Sequence, residues 1–252
     1  AALGQEYGVL VVVDGVCSVA GEELRQEAWG VDLALTASQK AIGVPPGLAL
    51  IMAGPRAIET FRRRKSPVVN YYADWTKWLP IMEAYEARDP SYFGTPPVNL
   101  IWALNVSLGQ ILDEGMDARF ERHRTISKAV KAAITALGMA QVPVSGDKTA
   151  TTLTAPYFPD GVDRSVLRHI NQAGVILAGG LHPEIKERYF RIGHMGVVNG
   201  SDVRATAGAI EYGLAQAGYA FEEGVGLAAA QGVLRRGFLQ GEPVQNKECL
   251  TE

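Results

Sequence analysis

The chain has 252 residues, enough for one large domain or two of ordinary size. With 47% hydrophobic and 20% charged residues it is globular and can bury a substantial core. Its net charge of −3 comes from 24 basic and 27 acidic residues with no strongly basic block, which argues against nucleic acid as a partner. Cys17 and Cys249 lie far apart and form no metal-ligand or redox pattern, which favours a reducing compartment and no metal. No apolar run approaches the ~18 residues that span a membrane. The expectation is a soluble intracellular protein, with cytoplasm, peroxisome and mitochondrion not distinguished. The chain opens A-A-L-G-Q-E-Y-G, with no initiator Met or basic leader, and enters a strand almost at once. It reads as the middle of a longer protein.

In chain order, Val9 to Val13 is a continuous apolar run ending at Asp14, as in a parallel strand covered on both faces. Asp14-Gly15-Val16-Cys17-Ser18 is then the loop at its carboxyl end, where ligands sit in open α/β sheets. Cys17 is expected in the core. Glu22 to Trp29 reads as a short helix or turn. From Val31, apolar residues alternate through Leu35, and Thr36-Ala37-Ser38-Gln39 delivers Lys40 to a strand end. Gly43, Pro45, Pro46 and Gly47 then form a turn before a second apolar run, Leu48 to Met52, expected beside that strand. A lysine walled in by apolar neighbours is poorly solvated, which makes it a usable nucleophile or base.

Arg56 to Arg64 reads as a helix preceded by Pro55, with Arg62-Arg63-Arg64-Lys65 as its solvated end. Ser66 to Pro97 is irregular and rich in aromatics, including Tyr71, Tyr72, Trp75, Trp78, Tyr85, Tyr92 and Phe93. That density suggests a subunit contact, with a core lining as the competitor. Pro97 opens a long helix that Gly115 closes. A second, from about Asp117 to Leu137, carries Phe120, Ile126, Val130, Ile134 and Leu137 on one face. Beyond it the pattern changes. Met139 to Val144, Thr151 to Tyr157, Val175 to Leu177 and Tyr189 to Ile192 read as strands. Val162 to Ala173, Ser201 to Ala217 and Phe221 to Leu239 read as helices. The fold class is therefore α/β followed by a compact α+β unit.

Asp14, Lys40 and Arg191 stand at element ends rather than on faces. Each has a structural explanation: Asp14 as a cap, Lys40 as a surface lysine, Arg191 as the partner of a structural carboxylate. Spacing alone does not choose. The residues themselves go further. V-D-G-V-C-S at Val13–Ser18, T-A-S-Q-K-A-I-G-V-P-P-G-L from Thr36, Y-F-G-T-P-P-V from Tyr92 and F-R-I-G-H-M-G from Phe190 occur in this order. The series resembles the alanine–glyoxylate and serine–glyoxylate aminotransferases, class V members of the fold-type-I pyridoxal-phosphate enzymes. It covers nearly the whole chain to about Ala217. The S-Q-K-A-x-x-x-P-P-G stretch is its most specific part.

The resemblance implies a division at residues 1–115, the later portion of a cofactor-binding large domain with a mainly parallel sheet. Residues 116–252 would form a small α+β domain, and the polar stretch from about 241 reads as a flexible tail. It implies pyridoxal 5'-phosphate as cofactor and Lys40 as the residue that carries it and shuttles the proton. Asp14 would bond the ring nitrogen, and Val16 would pack on a ring face. Gln39 and Ser38 would bond the phosphate. Tyr92 and Thr95 would reach the phosphate site of the neighbouring subunit in a homodimer. Arg191 would bind the substrate carboxylate as a two-pronged fork. Alanine or serine would be the amino donor and glyoxylate the acceptor. The family carries about half a domain more ahead of this point, so activity of this stretch alone is doubtful. His182 is a weak substrate-side candidate. His194 is as easily a local hydrogen-bonding residue. The alternatives are a cysteine desulfurase-like enzyme, against which Gln39 before the lysine speaks, and a non-catalytic dimerising remnant.

Overall fold

A computed structural model describes residues 1–240 of the chain, and side chains through residue 237. The tail expected from about residue 241, with Cys249, lies outside the described residues. The chain divides into two compact units, Ala1–Val19 with Leu24–Asp113, and Ala20–Glu23 with Glu114 onward.

The first unit begins with a short helix, α1 (Ala2–Glu6), and a three-stranded sheet in the order β1 (Val12–Asp14), β2 (Leu33–Ala37), β3 (Ala49–Ala53). β1 runs parallel to β2, with Asp14 opposite Leu35, and β3 runs antiparallel to it, with Ala49 opposite Ala37. One of the two pairings among these three strands is therefore antiparallel. The Pro45-Pro46-Gly47 turn explains this, because a tight return can only bring the chain back antiparallel. Asp32, buried at the start of β2, accepts the Val11 N–H at 2.7 Å and pairs with Arg56 at 3.1 Å, which anchors the opposite end of the sheet.

The apolar run at Val9 does not become a strand covered on both faces. β1 is only three residues long and forms the sheet edge among the described residues. Val12 keeps 56% of its surface exposed. Apolar character allows a strand to be buried, but only a neighbour on each side does so. Glu22 to Trp29 holds turns and no helix.

α2 (Pro55–Arg62) starts on Pro55, whose fixed φ suits the first helical position. The stretch read as irregular contains α3 (Trp75–Glu86). Pro80 inside it looks like a breaker in the sequence. Asp74 overrides that at the start, its carboxylate accepting the Thr76 N–H at 3.0 Å. Around it Tyr72, Trp78 and Phe93 pack edge to face. α4 (Val98–Glu114) follows as predicted from Pro97 and Gly115. One face packs inside the first unit, where the Ser107 hydroxyl donates to the Ile42 carbonyl and Ile111 is buried. The opposite face leaves Ile101, Trp102, Leu108 and Leu112 exposed.

The second unit is built on α5 (Met116–Ala136), whose Phe120, Ile126, Val130 and Ile134 are all buried, as the helical spacing predicts. A small antiparallel sheet has the order β4 (Leu153–Thr154), β6, β5 (Ala178–Gly179), with β6 (Phe190–Gly193) in the centre. Met139 to Val144 makes only an isolated bridge, Gln141 with Pro156. Pro143 and Pro156 interrupt a longer ladder there because neither can donate. α6 (Val166–Gln172) and α7 (Gly200–Gln216) close the core with Ile170, Val203, Ile210 and Leu214. α7 starts in a capping box between Asn199 and Asp202. α8 (Val225–Gln240) begins later than the apolar pattern suggested. Gly224 has φ +82, and the buried Glu211 carboxylate accepts the N–H groups of Gly224 and Leu227, which sets the start of the helix.

Candidate active site

The carboxyl end of β1 and the turn after β2 lie at one end of the same sheet, because the two strands are parallel. Asp14 ends β1 and is exposed rather than buried. One of its carboxylate oxygens accepts the Val16 N–H at 3.1 Å, and no donor engages the other among the described residues. The Gly15 N–H donates to the Leu35 carbonyl at 2.9 Å, which stitches this loop to β2. Val16 is half-buried, and Cys17 is exposed rather than in the core.

β2 stops at Ala37, so Lys40 sits in a turn beyond the strand rather than at its end. It is half-buried, not walled in. Its ammonium has no acceptor among the described residues. Its backbone is held, however. The Lys40 carbonyl accepts the Gly43 N–H at 2.9 Å. Ser38, fully buried, holds the turn together. Its hydroxyl donates to the Pro45 carbonyl at 2.7 Å and accepts the Leu48 N–H at 3.3 Å. The only hydroxyl hydrogen of Ser38 is thereby committed inside the turn, which leaves it none for a phosphate. Gln39 is exposed. Gly47 has φ +140 and lies under Leu100 of α4, where a Cβ would stand 2.6 Å from the leucine Cδ1. Tyr92, 71% exposed, and Thr95, also exposed, precede α4 in the same unit.

In the second unit, Arg191 is the second residue of β6 and points away from the core. Phe190, Ile192 and His194 alternate onto the buried side. The Arg191 Nε donates to the Gly179 carbonyl at 2.8 Å. Its two terminal nitrogens have no acceptor among the described residues, which leaves a parallel pair of donors suited to a carboxylate. Tyr189 lies on the same side of the strand, two residues earlier. Its phenol oxygen accepts the N–H groups of Leu181 at 2.8 Å and His182 at 3.1 Å. Those two amides, Leu181 first, hold the phenol below its ordinary pKa. His182 itself is exposed, and its Nδ1 accepts the Glu184 N–H.

His194 faces away from Arg191. Its Nε2 lies 2.8 Å from the Thr154 hydroxyl, a local bond rather than a substrate contact. It is 2% exposed, and burial, reinforced by Lys131, pushes its pKa down to about 4. His123 of α5 lies in the same buried layer. Its Nδ1 is 2.8 Å from the Arg119 carbonyl, and its Nε2 accepts the Gly196 N–H at 3.0 Å. Only the neutral ring protonated at Nδ1 satisfies both partners. Burial lowers its pKa as well. At the start of the unit Glu114 binds Arg119 at 2.7 Å and Arg122 at 2.5 Å. Burial pushes its carboxyl up, but hydrogen bonds from Arg122 and Arg119 outweigh that and leave it lowered.

Tyr189, His123 and the turn-holding role of Ser38 were not apparent in the sequence. Two signals pointed to the first two. Tyr189 shares a strand face with Arg191 at a spacing of two, and His123 is a polar residue on the apolar stripe of α5.

Residues 1–201 match the aminotransferase class-V family. The chain is 43% identical over 191 residues to alanine–glyoxylate aminotransferase 1 of Saccharomyces cerevisiae, covering 74% of this chain and 49% of that protein. It is 32% identical over 233 residues to serine–glyoxylate aminotransferase of Arabidopsis thaliana, covering 91% and 56%. The structure of pyridoxamine–pyruvate aminotransferase from Mesorhizobium loti superposes with a TM-score of 0.85 at 30% identity, over 93% of this chain and 59% of that one. The chain belongs to the class-V aminotransferases, and its fold is that of the fold-type-I pyridoxal-phosphate enzymes. It spans about half the length of the curated relatives it matches. No helix among the described residues is long and apolar enough to cross a membrane.

The donor set at the end of the first sheet fits the family's cofactor. Asp14 retains a carboxylate oxygen for a cationic ring N–H, and Lys40 offers an amine with no competing partner among the described residues.

Proposed function

We propose that this chain carries the lysine-bearing part of a transaminase that moves an amino group from alanine or serine to glyoxylate. The observation that supports it best is the placement of Asp14 and of the turn that carries Lys40 at one end of the sheet, in a chain 43% identical to an alanine–glyoxylate enzyme. Pyridoxal phosphate, when bound, supplies an electron sink for the electrons released at the substrate's α-carbon. The chain's own residues do the rest. Asp14 holds the ring nitrogen protonated through charge pairing. Lys40 would hold the cofactor through its Nζ, and the same Nζ would take and return the proton of the substrate's α-carbon. Gln39 bonds the phosphate and Val16 packs on the ring. Ser38 we assign to holding the turn rather than to the phosphate. Arg191 receives the α-carboxylate on its two terminal nitrogens, which fixes the orientation of the bond to be broken.

Tyr92 and Thr95 lie exposed ahead of α4, as residues that serve a second subunit must, and we assign them to the phosphate site of a partner copy in a homodimer. The test is glycine formation from glyoxylate with alanine, serine and aspartate offered in turn, using the protein as its cell makes it. A holoenzyme that forms glycine from none of them overturns the reading. Ranking the three rates fixes the donor.

A further inference from the structure

The fork on Arg191 has a support that the reaction itself does not explain. Gly179, the last residue of β5, and the three residues after it touch Tyr189 and Arg191 at four points. The Gly179 carbonyl accepts the Arg191 Nε at 2.8 Å, and the Gly180 N–H donates to the Tyr189 carbonyl at 3.0 Å. The Leu181 and His182 amides both donate to the Tyr189 phenol oxygen. The same stretch therefore grips the arginine at one end and the tyrosine at the other. Gly180 has no room for a side chain, since a Cβ would lie 2.5 Å from the Tyr189 ring and 2.6 Å from the Lys186 carbonyl. The Tyr189 ring is buried, whereas Leu181 and His182 are exposed. Without the phenol oxygen, no other acceptor for these two amides is present among the described residues.

We propose that Tyr189 is a positioning residue for substrate binding: its phenol oxygen fixes the segment that leaves β5 at residues 180–182, and the last carbonyl of β5, that of Gly179, holds the guanidinium of Arg191. This rests on the reading of Arg191 as the carboxylate-binding residue. An arginine tethered only through Nε keeps both terminal nitrogens for the ligand but can rotate about that bond. Fixing the carbonyl that holds Nε removes that freedom, so the fork is set before substrate arrives. Tyr189 touches neither substrate nor cofactor in this scheme.

Tyr189→Phe keeps the ring and removes only the oxygen. Water reaches the two freed amides, so the variant folds and the segment loosens. In the holoenzyme, Tyr189→Phe is expected to raise KM for the amino acid about tenfold with kcat within about twofold. Hydrogen exchange should speed up at Leu181 and His182 and stay unchanged at Ile192 in β6. Arg191→Lys should raise KM at least as far, and Tyr189→Phe should add little in that background, because both act through one group. An unchanged KM in Tyr189→Phe beside a raised KM in Arg191→Lys overturns the role of the tyrosine alone. So does full additivity in the double variant. An unchanged KM in Arg191→Lys overturns the carboxylate reading itself, and this proposal with it.

Discussion

The turn that carries Lys40 and the strand that carries Arg191 hold their charged side chains in different ways. Around Lys40 the ties hold the backbone of the turn, most of them short in sequence with Ser107 of α4 reaching the Ile42 carbonyl, and none touches the lysine side chain. Ser38 reaches Pro45 and Leu48, and Gly43 reaches back to the Lys40 carbonyl. The amine is left loose on a rigid backbone. Around Arg191 the side chain itself is gripped, at Nε, and the segment just after β6 is held by His194 to Thr154 of β4 and by His123 of α5 to the Gly196 N–H. The difference matches the two jobs proposed for them. A group that must be displaced and must move a proton needs freedom on a fixed base. A group that only receives a carboxylate is better fixed throughout.

The largest expected effect breaks the comparison on the Lys40 side. Lys40→Ala should lower transamination by about a thousandfold or more while retaining some cofactor, because the turn does not depend on the side chain. Turnover of alanine with glyoxylate and the cofactor's absorbance measure both. A variant that transaminates at the wild-type rate removes Lys40 from the chemistry.

The strand side should instead reveal itself through acid. His194 has a folded-state pKa of about 4 against 6.5 in the unfolded chain, so between those values the unfolded state binds more protons. Stability is then full above about pH 6.5 and falls as pH drops toward 4, by about 3 kcal/mol in all. His123, lowered in the same direction, adds to the loss. Urea midpoints at pH 7.5 and pH 4.5 test this, and His194→Gln should flatten the slope. An equally steep slope in that variant would place the acid sensitivity elsewhere.

Two smaller effects sharpen the account of the Lys40 turn. Ser38→Ala should destabilise the protein by about 1–2 kcal/mol by stranding the Pro45 carbonyl and the Leu48 N–H. Cofactor affinity should change little. A large loss of affinity with an unchanged melting temperature would return Ser38 to the phosphate. Gly47→Ala should cost about 1 kcal/mol, from its φ of +140 and the nearby Leu100, read as a small drop in melting temperature.

How much of this was legible follows from how far apart the partners lie. The long helices were visible because Pro97, Gly115 and the stripe from Phe120 to Leu137 are local signals. The motif residues were visible because each sits in a short run with its neighbours. The exposure of Asp14 and Val12 was not, because burial of a strand depends on what lies beside it, and β1 is an edge among the described residues. α3 was hidden by Pro80, a local signal that pointed the wrong way. Tyr189 and His123 were hidden for another reason. A tyrosine before F-R-I-G and a histidine on α5 gain their meaning only from the amides of Leu181, His182 and Gly196, which the chain brings to them by folding.

The four residues Ala20–Glu23 belong to the second unit although the first unit surrounds them in sequence. Glu22 accepts both the N–H and the hydroxyl of Thr151, 129 residues further on, each at 2.6 Å. No single cut in the polypeptide therefore separates the two units. A break after Asp113 leaves the later piece without the carboxylate that closes on Thr151, and the earlier piece with a strap that has nothing to close on. During synthesis the same strap emerges early and waits for its partner until α5 and the Thr151 segment have been made, so the second unit finishes only with a piece of chain made long before the rest of it.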